Sequence, residues 1–471
     1  MPSRYLVQFA QAHEEFRLPE LQSISELNGF TIQFLDDPEC NDPKRPFMVL
    51  ELENEEQARL LARRCILVKA VYDYYGHGST YEALHEVNRS SKPKWEQYIP
   101  DTSFKFIVSG FNHTIPQRRQ RDVIESFAYM DFLGEINMKT PQILLACFEE
   151  YDESFKRPRE EHAGDGGFRQ LYFGRLLEEG TARPLVNVFD VKKRKYFGNT
   201  SMEAEISLLM ANQTMASPGK LMYDPFIGTG SMAYPTAHFG SLMFGSDIDG
   251  RQMRGKTYDH PSSNLKSEPG VFRAAKQYGV DGRILDLATF DMTNHPWRCG
   301  GFFDAIITDP PYGRLGRKRE LSDRQKELCR IHREAPQPED TPYIPPTKPY
   351  ELSHLVSDLI LFARYLLKPE GRLVFFLPTV NDEYEEVDVH NSLCEGMEVI
   401  ANSLQDFGSW GRRLITIRKT TLQSYPPPTF EAQREESHTP AHKDFREKYF
   451  QGFKAPLSEP SPLDSPKLAD Q

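Results

Sequence analysis

The chain has 471 residues, which is too long for one ordinary core and predicts two or three domains. Its 39% apolar and 27% charged residues are typical of a globular protein, and the absence of any long apolar run excludes a membrane-spanning helix. The net charge of −11 is not typical of a nucleic-acid-binding protein. If RNA is a ligand, it must bind to local basic clusters or to the basic surface of a partner.

Cysteine and histidine spacing indicates neither a metal site nor a disulfide framework. The six cysteines contain no CxxC pair, and His77, His113 and His295 are isolated from other ligands. This pattern favours a reducing compartment. The N-terminus also lacks the charged-then-apolar layout of a secretory signal, so we expect a cytoplasmic protein without a metal centre.

The first 180 residues alternate short strand-like and helical stretches, which is typical of an α+β region. Tyr5, Val7 and Phe9 alternate with polar neighbours as in a half-buried strand, and Pro19 suits the first position of the next helix. The further elements expected here are strands at 47–52, 66–75, 104–111, 142–151 and 169–177, a helix at 55–65 and a basic helix around 118–130.

From residue 200 the pattern changes to strands that alternate with longer helices, which favours a parallel sheet with crossovers. Thr200 and Glu203 have capping-box spacing before the first helix. Beyond about residue 420 the chain is rich in proline and serine, which is typical of disorder. The elements expected between are strands at 221–226, 242–248, 302–309, 372–379 and 412–419, and helices at 231–240 and 350–367.

A glycine-containing turn, Asp224-Pro225-Phe226-Ile227-Gly228-Thr229-Gly230-Ser231, follows the first of these strands. Gly228 and Gly230 permit positive φ and close approach of a ligand, at the strand end where open α/β sheets bind ligands. The turn lacks the GxGxxG of a pyrophosphate site. Its leading acid suits a cationic cofactor without phosphates, such as S-adenosylmethionine. The alternative is a plain glycine turn between a strand and a helix.

Two acids further along could bind the adenosine part of such a cofactor. Asp247 ends the next strand, where a carboxylate can accept hydrogen bonds from both ribose hydroxyls. We favour it over Asp249, which could instead cap the following helix. Asp291 could bind the adenine amino group, with Asp286 as its competitor.

The strand at 302–309 ends in Asp309-Pro310-Pro311-Tyr312-Gly313. An exocyclic nitrogen of a nucleobase is a poor nucleophile because its lone pair is delocalised into the ring. A carboxylate that accepts its N–H bonds favours a pyramidal nitrogen and can take up the proton, and the rigid backbone can present the Pro310 carbonyl as a second acceptor. Tyr312 supplies a face for stacking the base. A proline-punctuated turn is the alternative, which the two upstream signals disfavour.

Three basic clusters could contact RNA, and for each the alternative is a solvated charged face. They are Arg118, Arg119 and Arg121; Lys192, Lys193, Arg194 and Lys195; and Arg314, Arg317, Lys318 and Arg319.

The sequence DPPY resembles the catalytic motif of amino-methyltransferases, which act on adenine, guanine, cytosine or glutamine nitrogens. A narrower resemblance is to the catalytic subunit of eukaryotic tRNA guanine-10 N2-methyltransferases. The segments that carry it are GNTSMEAEISLLMAN, YDPFIGTGS, GSDID and FDAIITDPPYG. The segments HEEFRLPEL, YYGHGST and LYFGRLL look like the ferredoxin-like and THUMP modules that bind the tRNA acceptor end in related enzymes. The resemblance covers roughly residues 4–420.

This resemblance implies an α/β class I (Rossmann-like) methyltransferase domain preceded by an α+β ferredoxin-like and THUMP region. The implied segments are a ferredoxin-like domain at 1–75, a THUMP domain at 76–180, a linker at 181–199, the methyltransferase domain at 200–420 and a tail at 421–471. The resemblance also implies tRNA as substrate and a small zinc-binding activator subunit as partner.

The resemblance assigns roles to the candidate site residues as well. Asp224, Gly228 and Gly230 would line the donor site, with Asp247 on the ribose and Asp291 near adenine, whereas Asp309, Pro310 and Tyr312 would hold the target guanine. The stretch after Gly313, which is long, basic at its start and Pro-rich later, is a departure from the family's pattern, and its contact with RNA is a hypothesis.

Two alternatives remain open from the sequence. The first is an amino-methyltransferase that acts on another base or RNA. The second is an RNA-binding protein with an inactive methyltransferase domain, which predicts damage at Asp224, Gly228, Asp247 or Asp309, and all four are intact.

Overall fold

The computed structural model describes residues 2–35, 38–151, 167–198, 201–255, 270–311, 352–385 and 387–430. Thr200, Tyr312, Arg317 and Lys318, together with the tail from residue 431, lie outside the described residues. The predictions made for these positions are therefore not tested by the structure.

The N-terminal region forms one seven-stranded sheet in the order β2-β3-β1-β4-β7-β6-β5. Its strands are β1 Ser3–Phe9, β2 Gln33–Phe34, β3 Phe47–Leu52, β4 Val68–Gly78, β5 Phe104–Phe111, β6 Ile143–Tyr151 and β7 Phe168–Glu179. All neighbours are antiparallel except β5 and β6. The predicted boundary between residues 75 and 76 falls inside β4, which pairs with β7, so one sheet extends across both predicted modules.

The helices of the described chain pack on the faces of the two sheets. They are α1 Arg17–Leu27, α2 Pro38–Asn41, α3 Glu55–Arg64, α4 Tyr81–Ser90, α5 Lys92–Trp95, α6 Gln117–Ser126, α7 Leu185–Val188, α8 Ala204–Gln213, α9 Ala233–His238, α10 Gly250–Arg254, α11 Gly270–Gln277, α12 Leu352–Leu366 and α13 Val387–His390. Helix α1 begins two residues before Pro19, so the expectation that Pro19 opens the helix was wrong, although its missing N–H is still harmless in the first turn.

The second sheet also has seven strands, in the order β10-β9-β8-β11-β12-β14-β13. Its strands are β8 Leu221–Asp224, β9 Leu242–Asp247, β10 Ile284–Thr289, β11 Phe303–Thr308, β12 Leu367–Val380, β13 Met397–Asp406 and β14 Trp410–Lys419. The first five strands in this order are parallel, and β14 and β13 are antiparallel to their neighbours. The strand order reverses at β8, and in doubly wound sheets ligands bind at the carboxyl end of such a switch point.

A continuous core joins the two regions. One hydrophobic cluster contains Leu21 and Ile24 of α1 together with Leu208 and Leu209 of α8. The buried carboxylate of Glu20 lies at this junction, where it accepts hydrogen bonds from the backbone N–H groups of residues 66 and 67 and from Asn212 Nδ2 at 2.7 Å. Burial raises the pKa of Glu20 to about 7.

A buried arginine makes a second connection between the regions. Arg372 on β12 is 2% exposed and donates hydrogen bonds to Ser23 Oγ, to the Gln213 carbonyl and to Glu26 Oε2 at 2.6–2.9 Å. Because Ser23 and Glu26 belong to α1, this side chain fixes the second sheet to the N-terminal region.

Within the described ranges, none of the helices combines the length and the apolar character needed to cross a membrane.

Candidate active site

Three acidic residues meet at the carboxyl edge of the second sheet. Asp224 ends β8, Asp247 ends β9, and Asp309 directly follows β11, and these three strands are neighbours. The negative charges of Asp247 and Asp309 both raise the pKa of Asp224, as expected for carboxylates at the ends of neighbouring strands. The structure thus brings together the leading residues of the three motifs found in the sequence.

Asp224 is fully buried, and its two carboxylate oxygens differ sharply. Oδ1 accepts hydrogen bonds from Thr308 Oγ1 at 2.7 Å and from the Phe226 N–H at 3.0 Å. Oδ2 is also buried but has no hydrogen-bond partner among the described residues. Burial, reinforced by the negative charges of Asp247 and Asp309, raises the pKa of Asp224 to about 8.

The glycine turn adopts the conformation that its sequence predicts. Gly228 and Gly230 have φ angles of 49° and 83°, which other residues adopt at a cost. A Cβ atom on Gly230 would also lie 2.7 Å from the Tyr234 hydroxyl oxygen, so a side chain does not fit there. Gly228 donates its N–H to Asp247 Oδ2 at 2.9 Å, which links the turn to the end of β9.

Asp247 and its sequence competitor Asp249 are both half-buried, but they contact different parts of the chain. Both Asp247 oxygens accept backbone hydrogen bonds, one from Gly228 and one from the Asp249 N–H at 2.8 Å. Burial raises the pKa of Asp247. Asp249 caps α10 and forms an ion pair with Arg251 at 2.8 Å. This arrangement supports Asp247 as the carboxylate that faces a ligand.

Asp291 lies further from this cluster, after β10. It is exposed and accepts hydrogen bonds from the N–H and the hydroxyl of Thr293, so it caps a short 3-10 helix. Asp286 is exposed within β10. The structure therefore adds no contact that distinguishes the two as adenine ligands.

The residues at this edge fit S-adenosylmethionine. Asp224 Oδ2 is a buried acceptor without a hydrogen-bond donor in the described chain, which suits a cationic ammonium group. Asp247 at the end of the adjacent strand suits ribose hydroxyls. The positive-φ glycines leave the backbone open between them.

Asp309 is half-buried and Pro310 is buried. The adjacent Thr308 donates its hydroxyl to Asp224, so Asp309 and Asp224 are linked through one residue. Thr308 was not identified from the sequence, because its partner is 84 residues away and the pairing of β8 with β11 is what brings them together.

The glycine turn is braced by the segment before α8. Ser231 Oγ accepts hydrogen bonds from Arg194 Nη1 and from the Met202 N–H, both at 3.0 Å. Ser201 and Thr229 pair through their hydroxyls at 2.8 Å. The roles of Ser201 and Ser231 were not predicted from the sequence, because their partners are 28 and 29 residues away along the chain.

Arg194 corrects one expectation about RNA binding. It is 3% exposed, and its guanidinium lies 4.9 Å from the Tyr234 ring centroid as well as against Ser231. Its guanidinium therefore stabilises the glycine turn from inside the protein and is not presented to RNA. Its neighbour Lys193 is exposed.

The basic cluster on α6 divides in the same way. Arg118 and Arg121 are exposed. Arg119 instead forms an ion pair with the fully buried carboxylate of Glu149 at 2.9 Å and is only 15% exposed. Its charge therefore balances that of Glu149 inside the first region. Helical periodicity explains this split, because adjacent positions on a helix face different directions.

Among the residues that the structure describes, no group of three or more histidine, cysteine or acidic side chains is placed to hold a metal ion. The strand order, the glycine turn and the acids at the carboxyl edge define the class: a Rossmann-like methyltransferase sheet joined to an N-terminal α+β region.

Comparisons with known proteins identify the family. Residues 3–182 match the model of the Tmrp11 THUMP N-terminal domain. The tRNA (guanine(10)-N(2))-methyltransferase of Saccharomyces cerevisiae is 35% identical over 96% of this chain and 99% of its own length. The Homo sapiens tRNA (guanine(10)-N(2))-methyltransferase TRMT11 is 33% identical over 96% of both chains. The chain therefore belongs to the tRNA (guanine(10)-N(2))-methyltransferase family.

The crystal structure of TrmN from Thermus thermophilus is similar to this chain at a TM-score of 0.40 and 16% identity, covering 88% of this chain and 99% of that one.

Proposed function

We propose that this chain transfers a methyl group from S-adenosylmethionine to the N2 amine of guanosine 10 in tRNA. The position and the atom follow from the family to which the chain belongs. The observation that carries the proposal is the link from Asp309 through Thr308 to Asp224, because it holds a base-side acceptor next to the donor-side carboxylate.

The bound donor supplies a methyl group on a sulfonium, which needs orientation more than activation. Asp309 accepts a hydrogen bond from the guanine amine. This hydrogen bond keeps the lone pair of the amine nitrogen directed at the methyl carbon. As the N–C bond forms and the C–S bond breaks, the amine becomes cationic and releases a proton, which the Asp309 carboxylate accepts. The Pro310 carbonyl is the second acceptor in this proposal.

Asp224 and Asp247 hold the two ends of the donor. The unpartnered Oδ2 of Asp224 receives the donor's ammonium group, and Asp247 receives its ribose hydroxyls. Gly228 and Gly230 line the donor, and Asp291 lies near its adenine. Tyr312, which is outside the described residues, stacks on the target guanine.

The tRNA contacts in this proposal come from exposed cations on both regions. Arg118 on α6 and Lys193 after α7 are exposed and can neutralise phosphates. Arg317 and Lys318, outside the described residues, add to them. Such contacts allow a chain of net charge −11 to bind RNA locally.

A small zinc-binding activator subunit is the proposed partner, and the cytoplasm is the proposed compartment. Leu285 supports a partner surface, because it is 52% exposed on β10, the outermost strand on its side of the described second sheet. A strand at a sheet edge with an exposed apolar side chain is normally covered by another element.

The test is methyl transfer to unmodified tRNA by the chain co-expressed with its activator. Wild type is expected to form N2-methylguanosine, detected by nucleoside mass spectrometry. Asp309→Ala is expected to lower kcat by about 10²–10⁴, because the acceptor and the proton sink are lost. Glu398→Ala, which removes an exposed acid from the edge strand β13, is the matched control and retains activity.

Three results would contradict the proposal. Methyladenosine in the product would exclude guanine as the target. Full activity of Asp309→Ala would exclude the role of that carboxylate. Tight tRNA binding by wild type without methyl transfer would instead favour an RNA-binding protein with an inactive methyltransferase domain.

A further inference from the structure

Strands β13 and β14 form a hairpin whose end extends past the carboxyl edge of the second sheet. We call residues 406–411, which include the turn and the adjoining strand residues, the hairpin tip. Thr308 at the end of β11 is in register with Phe375 of β12. β12 continues to Val380, where it pairs with Trp410 of the hairpin tip. Val380 is five residues beyond Phe375 along β12. At about 3.3 Å per residue, the hairpin tip lies roughly 16 Å beyond Thr308 along the strand direction.

The hairpin tip is held rigidly. Gly408 has a φ of 94° at the first central position of a two-residue turn, closed by a hydrogen bond from Phe407 N–H to the Trp410 carbonyl at 3.0 Å. Asn381, the first residue after β12, donates from Nδ2 to Asp406 Oδ1 at 2.7 Å and to the Gly408 carbonyl at 2.8 Å. These contacts restrain the backbone of the hairpin tip before any ligand binds.

Two aromatic rings and an arginine form one surface on the hairpin tip and β14. The rings of Phe407 and Trp410 have centroids 4.6 Å apart at an angle of 32°. The Arg412 guanidinium lies 5.3 Å from the Phe407 ring centroid and 5.0 Å from that of Phe376. Phe407 nevertheless remains 43% exposed, which leaves apolar area for a further contact.

This surface is connected to the donor side of the site. Arg412 donates to Glu203 Oε1 at 3.0 Å and to Met202 Sδ at 3.4 Å. The Met202 N–H in turn binds Ser231 of the glycine turn. The rings are therefore joined by contacts to the glycine turn, but lie roughly 16 Å beyond Thr308, within reach of a nucleotide next to the target rather than of the target base.

We propose that Phe407, supported by Trp410 and Arg412, is a platform on which a nucleobase adjacent to the target guanosine stacks. An unpaired base stacks favourably on an aromatic ring. The Arg412 guanidinium next to the Phe407 ring adds a cation–π contact that stabilises the ring in this position. The platform holds the strand in place while the target guanine is out of its stack. This inference rests on the proposed function, since it assumes that RNA approaches the carboxyl edge.

The experiment compares Phe407→Ala, Phe407→Tyr and Leu422→Ala in the complex with the activator. The Kd for unmodified tRNA is measured by filter binding, and KM for tRNA and for S-adenosylmethionine by methyl transfer. Phe407→Ala is expected to raise Kd and KM for tRNA about tenfold, which is the loss of about one stacked base. The KM for S-adenosylmethionine should not change. Phe407→Tyr keeps the ring and should behave as wild type.

Leu422→Ala is the control for loss of exposed apolar surface, because Leu422 is 85% exposed after the last strand. A second readout is tryptophan fluorescence, since Trp410 is one of three tryptophans and Trp95 is buried. Part of the fluorescence should be quenched when tRNA binds to wild type, and Trp410→Phe should abolish that part.

The inference is overturned if Phe407→Ala binds tRNA like wild type, or if it raises both KM values equally while Trp410 is not quenched. The binding measurement does not require turnover. Failure of wild type to methylate tRNA would therefore contradict the proposed function, whereas unchanged tRNA binding by Phe407→Ala would contradict only the platform.

Discussion

At the scale of single residues, Asp224 is a buried acid with half of its hydrogen-bonding capacity unused. Thr308 and the Phe226 N–H serve one oxygen, and the other has no donor in the described chain. An ionised carboxylate without a counter-charge is unfavourable when buried, so burial raises the pKa of Asp224 to about 8. Below that pH the carboxyl group is mainly protonated. A bound cation would favour the ionised form. Donor binding and the protonation of Asp224 are therefore linked.

The affinity for S-adenosylmethionine is expected to weaken as the pH falls below about 8, because protonation removes the negative charge of Asp224. The Thr308 hydroxyl lowers the pKa of Asp224, so Thr308→Val is expected to move the midpoint to higher pH. Thr308→Ser keeps the hydroxyl and should match wild type. Equilibrium titrations from about pH 6 to about pH 9 measure these midpoints.

The α-amino group of the ligand also titrates near pH 8, so each variant is compared with wild type using the same ligand. Asp224→Asn removes the titrating carboxylate and should bind weakly at every pH. Identical pH profiles for wild type and Thr308→Val would show that Thr308 does not tune this carboxylate.

The sequence predicted the acids but not their supports. Asp224, Asp247 and Asp309 all stand at predicted strand ends, and Asp224 and Asp309 directly precede proline, which are local signals that need no knowledge of the fold. Thr308 acquires its role only when β11 pairs with β8. Arg194 was grouped with exposed lysines because a sequence does not show which member of a basic run turns inward.

At the scale of elements, some strands were predicted to the residue, whereas the two edge strands of the second sheet were not predicted. β3 and β5 match the expected residues end to end. β10 and β13 were not predicted. β13 lies at a sheet edge with half-buried residues along most of its length, so its apolar and polar residues do not alternate. β12 begins at Leu367, before the expected residue 372, because residues 368–371 form an irregularity within the strand.

Arg372→Ala is expected to lower the free energy of unfolding by about 2–4 kcal/mol, because it leaves Glu26 and the buried Gln213 carbonyl without their donor. Arg418→Ala is the matched control on β14. Arg418 pairs with Glu398 while 30% exposed, so its loss should cost less than about 1 kcal/mol. Chemical denaturation of both variants measures the difference. Equal losses would contradict a specific role of Arg372 between the two regions.

At the scale of the whole molecule, two seven-stranded sheets are joined through α1, α8 and β12. The two regions and their order along the chain were predictable from composition and periodicity. Their packing was not, because it depends on pairs such as Glu20 and Asn212, which are 192 residues apart. A fixed arrangement of the two regions defines the distance between RNA bound to the first region and the carboxyl edge of the second.

We propose the N2 amine of guanosine 10 as the methyl acceptor at this edge. Two tRNA transcripts that differ only at position 10, one with guanosine and one with inosine, which lacks the amine, distinguish this acceptor from any other. We expect methyl transfer to the guanosine transcript, none to the inosine transcript, and equal binding of both. Methyl transfer to the inosine transcript at the rate of the guanosine transcript would contradict this proposal.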